Sequence, residues 1–195
     1  MANDVLIREM NGTPKQICFA DHATDFSPTA ANDLRKTTDG SQETDVQLIL
    51  ESVANAAGRQ SAKVDLGANR AEWYAVRAAL EFAATPTAGN VVELYWAPSW
   101  SATAGTGNAG GVSGADAAYA GYSSNLTASI KQLIRIGVFI CTAQITPTVQ
   151  IAECGLFRPR ERYGSLVVYN ISGASFHSDS VEHNIVFDPL VEQIQ

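Results

Sequence analysis

Glu72-Trp73-Tyr74-Ala75-Val76-Arg77-Ala78-Ala79-Leu80-Glu81-Phe82-Ala83 is followed by Thr85-Pro86-Thr87-Ala88-Gly89-Asn90 and then by Val91-Val92-Glu93-Leu94-Tyr95-Trp96, and the reading of this stretch decides the fold. Wound as a helix, the first run puts Trp73, Val76 and Leu80 on one stripe, and its alanines suit that state. Extended, it puts Tyr74, Val76, Ala78, Leu80 and Phe82 on one face, with Trp73, Arg77 and Glu81 on the other. Residues 85–96 favour the extended form. A short Pro/Gly/Asn segment leads into Val, Tyr and Trp, which fit a pleated surface. Two extended runs joined in this way predict a hairpin.

Working outward, the same period of two recurs. Val46, Leu48 and Leu50 alternate with Asp45, Gln47 and Ile49, and Ala62, Val64 and Leu66 with Ser61, Lys63 and Asp65. From Leu133 to Cys141 both faces are largely apolar, which predicts a central strand. Further runs lie at Val149–Glu153, at Leu166-Val167-Val168-Tyr169-Asn170 and at His183–Pro189, where Pro189 ends the last strand. Thr146-Pro147 and Ile171-Ser172-Gly173 mark turns between them. About eight strands with turn signals and no clear helix predict an all-β fold, a single jelly-roll-like β-sandwich.

Two regions interrupt this pattern. Residues 1–44 read as an extended, partly ordered N-terminal arm, and 45–195 as the body. The arm has a short apolar patch, Val5-Leu6-Ile7, then Gln16-Ile17-Cys18-Phe19-Ala20, then a polar stretch with Asp25, Pro28, Asn32, Asp33, Thr37, Thr38, Asp39, Gly40 and Ser41. Such a stretch buries too little to fold alone. It either wanders or lies against something, a neighbouring subunit or the chain's own body. Deleting residues 1–40 is expected to leave the body folded. Residues 98–129 are rich in Gly, Ala, Ser and Thr, which predicts a long mobile or irregular loop. Trp100, Tyr119 and Tyr122 punctuate it.

Composition narrows the function. With 13 basic against 20 acidic residues the chain carries a net charge of -7, which argues against sequence-independent nucleic-acid binding. No apolar run reaches the roughly 18 residues that span a bilayer. Met1-Ala2-Asn3-Asp4 shows no basic stretch followed by an apolar one, so no secretory signal is expected. Cys18, Cys141 and Cys154 fit no zinc spacing and no disulfide framework, and read as buried thiols of a reducing cytosol.

Catalytic signatures are missing. There is no Gly-x-Ser-x-Gly elbow, and the glycine run 105–114 lacks the Lys-Ser/Thr end of a phosphate cradle. His177 and His183 stand about 20 Å apart if extended, too far to share an ion unless the turn between them folds back. With His22 they read as structural or surface residues. We therefore expect no enzyme, no cofactor and no metal. Arg158-Pro159-Arg160-Glu161-Arg162 is the dense basic patch of an acidic chain. It reads either as a solvated turn or as a binder of carboxylates on a partner surface, for which the guanidinium fork is suited.

Glu81-Phe82-Ala83-Ala84-Thr85-Pro86-Thr87-Ala88-Gly89-Asn90 through Glu93-Leu94-Tyr95-Trp96-Ala97-Pro98-Ser99 resembles virion structural proteins of tailed bacteriophages. So does Phe157-Arg158-Pro159-Arg160-Glu161-Arg162-Tyr163-Gly164 with the terminal Phe187-Asp188-Pro189. The resemblance implies a capsid decoration (cement) protein. Such a protein lies in the virion, assembled in the host cytoplasm, and binds the major capsid protein on the outside of the head, often as a trimer. It transfers no catalytic residues. A homo-oligomer is expected on general grounds as well, since a small apolar-rich body buries spare surface against its copies. Arg158, Arg160, Arg162, Trp100, Tyr119 and Tyr122 are the candidate partner-binding residues.

A second reading is a tail or fibre module that binds host carbohydrate or receptor, with Trp73, Trp96, Trp100, Tyr119 and Tyr122 stacking on sugar rings. It predicts at least two of these aromatics exposed and coplanar. The cement reading predicts them buried in the body or in a subunit interface. A third, an enzyme on a β-sandwich, would need a metal that the scattered histidines do not offer.

Overall fold

The computed structural model describes residues 14–36, 43–68 and 70–190, so Val5-Leu6-Ile7 and the polar residues 37–42 lie outside the described residues. Eleven strands are present among them: β1 (Gln16–Ala20), β2 (Glu43–Gln47), β3 (Ala57–Gln60), β4 (Val64–Asp65), β5 (Trp73–Leu80), β6 (Val91–Ser99), β7 (Ala117–Tyr119), β8 (Ile134–Ile140), β9 (Gln150–Phe157), β10 (Tyr163–Ile171) and β11 (Asn184–Leu190). One sheet runs β2-β1-β11-β5-β9 and the other β7-β3-β10-β6-β8, with β4 also paired to β10.

Setting aside β2, β4 and β7, eight strands remain. In chain order they read first-eighth-third-sixth in one sheet and second-seventh-fourth-fifth in the other. That is the order of a jelly roll, so the expected all-β sandwich is the fold, with three more strands than the sequence suggested. Between the sheets lie Phe19, Tyr74, Phe157 and Phe187, with Trp96 tilted against Phe157 and Phe187 at 5.1 and 5.8 Å. Gly164 is required at this point: a Cβ there would run into the Trp96 ring.

The decisive stretch is extended, and Tyr74, Val76, Ala78, Leu80 and Phe82 are all buried on one face as expected. The hairpin is a correction. β5 pairs with β9 and β11, while β6 pairs with β8 and β10 in the opposite sheet. The connection at 81–90 carries the chain across the sandwich, and the apolar faces of β5 and β6 meet in the core from opposite sides.

The arm is a second correction. Gln16–Ala20 is a sheet interior, antiparallel to β11, parallel to β2 and buried at every residue. Residues 21–36 then cross the outer face of that same sheet. Phe26 and Leu34 cover Cys18, Ala20, Ala79 and Val186, so of the two alternatives the chain's own body is what this segment lies against. Leu34 N–H donates to Asn184 Oδ1, Asn184 Nδ2 to the Asn32 carbonyl, and Gln16 Nε2 to the Leu34 carbonyl. The body therefore starts by residue 16, not 45.

Two more expectations fall. The 98–129 region is built rather than loose. β7 joins the sheet, Leu126–Ser129 makes one helical turn, and Val112, Tyr119, Ile130 and Leu133 pack onto Ala97 and Val167. Gly114 holds a φ of 74°, where a Cβ would also meet the Ala104 carbonyl. β8, read as central from its two apolar faces, lies at the edge of its sheet.

Candidate attachment surface

One end of the sandwich gathers most of the candidate residues. Ser99 of β6 pairs with Tyr163 of β10, which pairs with Asp65 of β4. In the other sheet Trp73 pairs with Leu190, and Tyr74 with Phe157. The connections 66–72, 100–107 and 158–162 therefore emerge together.

Side chains cross-link these connections. Arg162 grips Asp65 through two parallel bonds of 2.6 Å, Nε to Oδ1 and Nη2 to Oδ2. This hydrogen-bonded guanidinium holds the Asp65 carboxyl below its ordinary range. Arg158 Nη2 lies 2.5 Å from Glu72 Oε1, and its guanidinium sits 5.8 Å from the centre of the Trp73 ring. Arg70 Nη2 donates to the Arg160 carbonyl at 2.8 Å. The Arg160 side chain is exposed and has no ion pair among the described residues. Of the three arginines predicted to bind a partner, two are thus partly committed within the chain and one is free.

Trp100 stands at 68% exposure on a turn that Lys63 organises. Lys63 Nζ donates to Ser99 Oγ at 2.8 Å and to the carbonyls of Ser101, Thr103 and Thr106 at 3.0, 2.6 and 2.8 Å. Four oxygens around one ammonium hold the turn as a bound cation would. Burial lowers the Lys63 pKa. Sequence reasoning missed this residue, because nothing in Ser61–Leu66 marks one lysine as the anchor of a segment nearly forty positions away.

The aromatics divide. Tyr122 is 54% exposed. Tyr119 is buried and donates its hydroxyl to the Gly110 carbonyl at 2.7 Å, and burial pushes its pKa to about 12. It supports the 98–129 region from within and offers no surface to a partner, which corrects its place among the binding residues. Trp96 is core. Trp73, Trp100 and Tyr122 are exposed, and no aromatic ring among the described residues stacks on any of them.

His177 and His183 converge at the other end, while His22 is not in this cluster and lies against the Cys18 carbonyl, Asp45 and Phe26. The turn between His177 and His183 does fold back: His183 Nε2 donates to the Glu81 carbonyl at 3.1 Å, and His177 Nδ1 lies 4.0 Å from Glu81 Oε2. Thr146 donates its hydroxyl to Glu81 Oε1. This cluster ties the end of β5 to the β8–β9 and β10–β11 connections. Among the described residues no three His, Cys, Asp or Glu side chains stand in metal-binding geometry, and all three cysteines are free. Cys154 sits against Gly137, four residues before Cys141 on the same side of the sandwich.

The fold and the end bearing Trp100, Arg158 and Arg162 define an all-β jelly-roll domain with a basic and aromatic rim cross-linked by ion pairs and hydrogen bonds. No protein-family model matches the chain, and a search of curated proteins finds no similar sequence.

Proposed function

We propose that this chain is a virion structural protein of the capsid decoration type, which binds the outside of an assembled head lattice through contacts with the major capsid protein. The observation that carries the reading is the cross-linked end: Trp100, Arg158 and Arg160 (the last without an ion pair among the described residues) project from two connections fixed by ion pairs and by Lys63, and Trp73 stands beside Arg158 at the start of β5. Exposed tryptophan and arginine are the residue types that anchor protein interfaces. A surface fixed before binding loses little entropy on docking. A protein that binds the assembled lattice and not free subunits stabilises the shell by mass action, and many copies on one lattice multiply the effect. Jelly rolls serve capsids and lectins alike, so the fold alone does not decide.

The cement reading expected the aromatics buried in the body or in a subunit interface. Within one chain Trp73, Trp100 and Tyr122 are exposed, so that reading needs the capsid or a second subunit to cover them. The same exposure supports the second reading, a tail or fibre module that binds host carbohydrate. Immunogold labelling of virus particles from the source, with an antibody to this chain, separates the two. Regular label over the head is the expected result. Label at the tail tip favours the carbohydrate reading and calls for glycan screening. Unlabelled particles overturn both.

A further inference from the structure

We propose that the edge formed by β8 and β9 is where two copies of this chain meet. This inference does not depend on the virion reading, and its centre, the cleft beside the β8–β9 connection, lies away from the basic and aromatic end.

Five of the nine large hydrophobic side chains exposed among the described residues lie on β8, on β9 or on the connection between them: Ile134, Ile140, Ile145, Ile151 and Leu156. Ile140, at 64% exposure, faces outward from one sheet beside Val91. Leu156, at 57%, faces outward from the other beside Ala75. The two backbones touch midway, where a Cβ on Gly155 would lie 2.6 Å from the Ile136 carbonyl. Toward the connection a cleft of about 250 Å³ opens between them, with Phe139, Ile140, Val149 and Ile151 among its walls. Gln150 makes this part rigid. Its side-chain oxygen accepts from Thr142 N–H and Oγ1, and its amide donates to the carbonyls of Thr142 and Gln144.

Charge identifies the occupant. From Ile136 to Ala152 the sequence has no Asp, Glu, Lys, Arg or His. Arg135 and Glu153, one of each sign, are the charged residues of β8 and β9, so the edge is formally neutral on a chain of net charge -7. Copies of an acidic protein repel one another across most of their surface but not here. A neutral apolar edge is complementary to itself, which is what a two-fold contact between identical patches requires. A partner recognised by its charge would find nothing to pair with.

The opposite edge shows what a solvent-facing edge looks like in this protein. There β2 has five residues and β7 has three. Short strands protect an edge against pairing. β8 and β9, at seven and eight residues, have less of that protection. The apolar faces that made β8 read as a central strand are explained if a second copy covers its outer side.

The test measures mass in solution by analytical ultracentrifugation of the full chain, with Ile140→Glu, Ile151→Glu and, as a control, Trp100→Glu. These side chains are exposed, so circular dichroism is expected to stay near the parent's, while the melting temperature of a dissociated variant falls only by the stabilisation that dimerisation supplied. The parent is expected to be a dimer at micromolar concentration. Either isoleucine substitution is expected to weaken it by about 100-fold or more, because it buries an unpaired carboxylate in an apolar contact. Trp100→Glu is expected to leave the mass unchanged. A parent that stays monomeric at about 100 μM, well above the roughly micromolar upper end of affinities for contacts of standard size, overturns the proposal. So does an oligomer that survives both isoleucine substitutions, or one that Trp100→Glu breaks. Failure of head attachment with an intact dimer would instead sink the virion reading alone.

Discussion

Lys63 Nζ donates to the Thr103 carbonyl at 2.6 Å, and this bond ties the short segment between β3 and β4 to the turn that displays Trp100. With the three other oxygens around it, the ammonium does for residues 99–107 what a structural cation does elsewhere. Lys63→Met keeps most of the side-chain volume and removes the charge. It is expected to cost about 1–3 kcal/mol, the range for losing charge-assisted hydrogen bonds. Limited proteolysis and hydrogen exchange should report new mobility at 100–107 with the rest of the sandwich protected. Head attachment should weaken, since a loosened turn must be ordered again on binding. A variant with unchanged exchange in this turn would show that the glycine-rich segment holds its own shape.

Arg160 separates binding from stability. Its side chain has no ion pair among the described residues, so Arg160→Ala is expected to change folding stability by less than about 0.5 kcal/mol. Its effect on attachment is expected to be about tenfold and largest at low salt, as for a rim charge that meets carboxylates. Arg158→Ala and Arg162→Ala remove exposed pairs, which contribute little to stability. Unchanged capsid affinity in the triple alanine variant, measured by co-sedimentation with heads at low salt, would remove the basic patch from the proposed function.

How much of the fold and of the attachment surface was legible depends on where each signal is carried. The period of two in Tyr74, Val76, Ala78, Leu80 and Phe82 is local, because each residue's face is set by its own strand, and it held. The partner of a strand is not local. Nothing in Thr85–Asn90 says whether the chain turns back along one sheet or crosses to the other, and it crosses. Gln16–Ala20 is buried on both faces because residues 21–36 cover its outer side, which erases the alternation that would have marked it. The same apolar doubling at β8 has a different cause, an outer side that its own chain leaves exposed. The basic cluster at 158–162 was visible, but its partners Asp65 and Glu72 come from a distant connection. Lys63 gave no signal at all.

His183 sets a pH limit on the fold. It is almost fully buried, its Nδ1 has no partner among the described residues, and burial pushes its pKa down to about 4, from 6.5. The folded state keeps it neutral where the unfolded chain protonates it. Between about pH 6.5 and pH 4 the unfolded state therefore binds more protons, and stability falls as pH falls through this window. The loss levels off below about pH 4, at about 3 kcal/mol. Asp25 opposes it weakly, since partial desolvation and a hydrogen bond with Asp179 raise its pKa at an exposed site. Urea unfolding at pH 7, 5.5 and 4.5 should track this slope, and His183→Gln should flatten it. An equally steep slope in that variant would assign the effect elsewhere.

Removal of the N-terminal segment tests the revised boundary. Deleting residues 1–40 takes away β1, a strand held between β2 and β11, and residues 21–36 that cover the outer face of that sheet. Ile17, Cys18 and Phe19 are buried to within 2% of completely, and each large apolar side chain contributes about 1.5–3 kcal/mol by burial. The deletion also leaves β11 with open backbone groups along one side and exposes Ala79 and Val186. Against a total stability of about 5–15 kcal/mol this loss is expected to prevent folding. Deleting residues 1–13 removes none of the described strands and is expected to leave a cooperative thermal transition. Thermal unfolding followed by circular dichroism distinguishes the two. A folded, cooperative product from the longer deletion would mean that the sandwich closes without β1, and that these residues are an appendage after all.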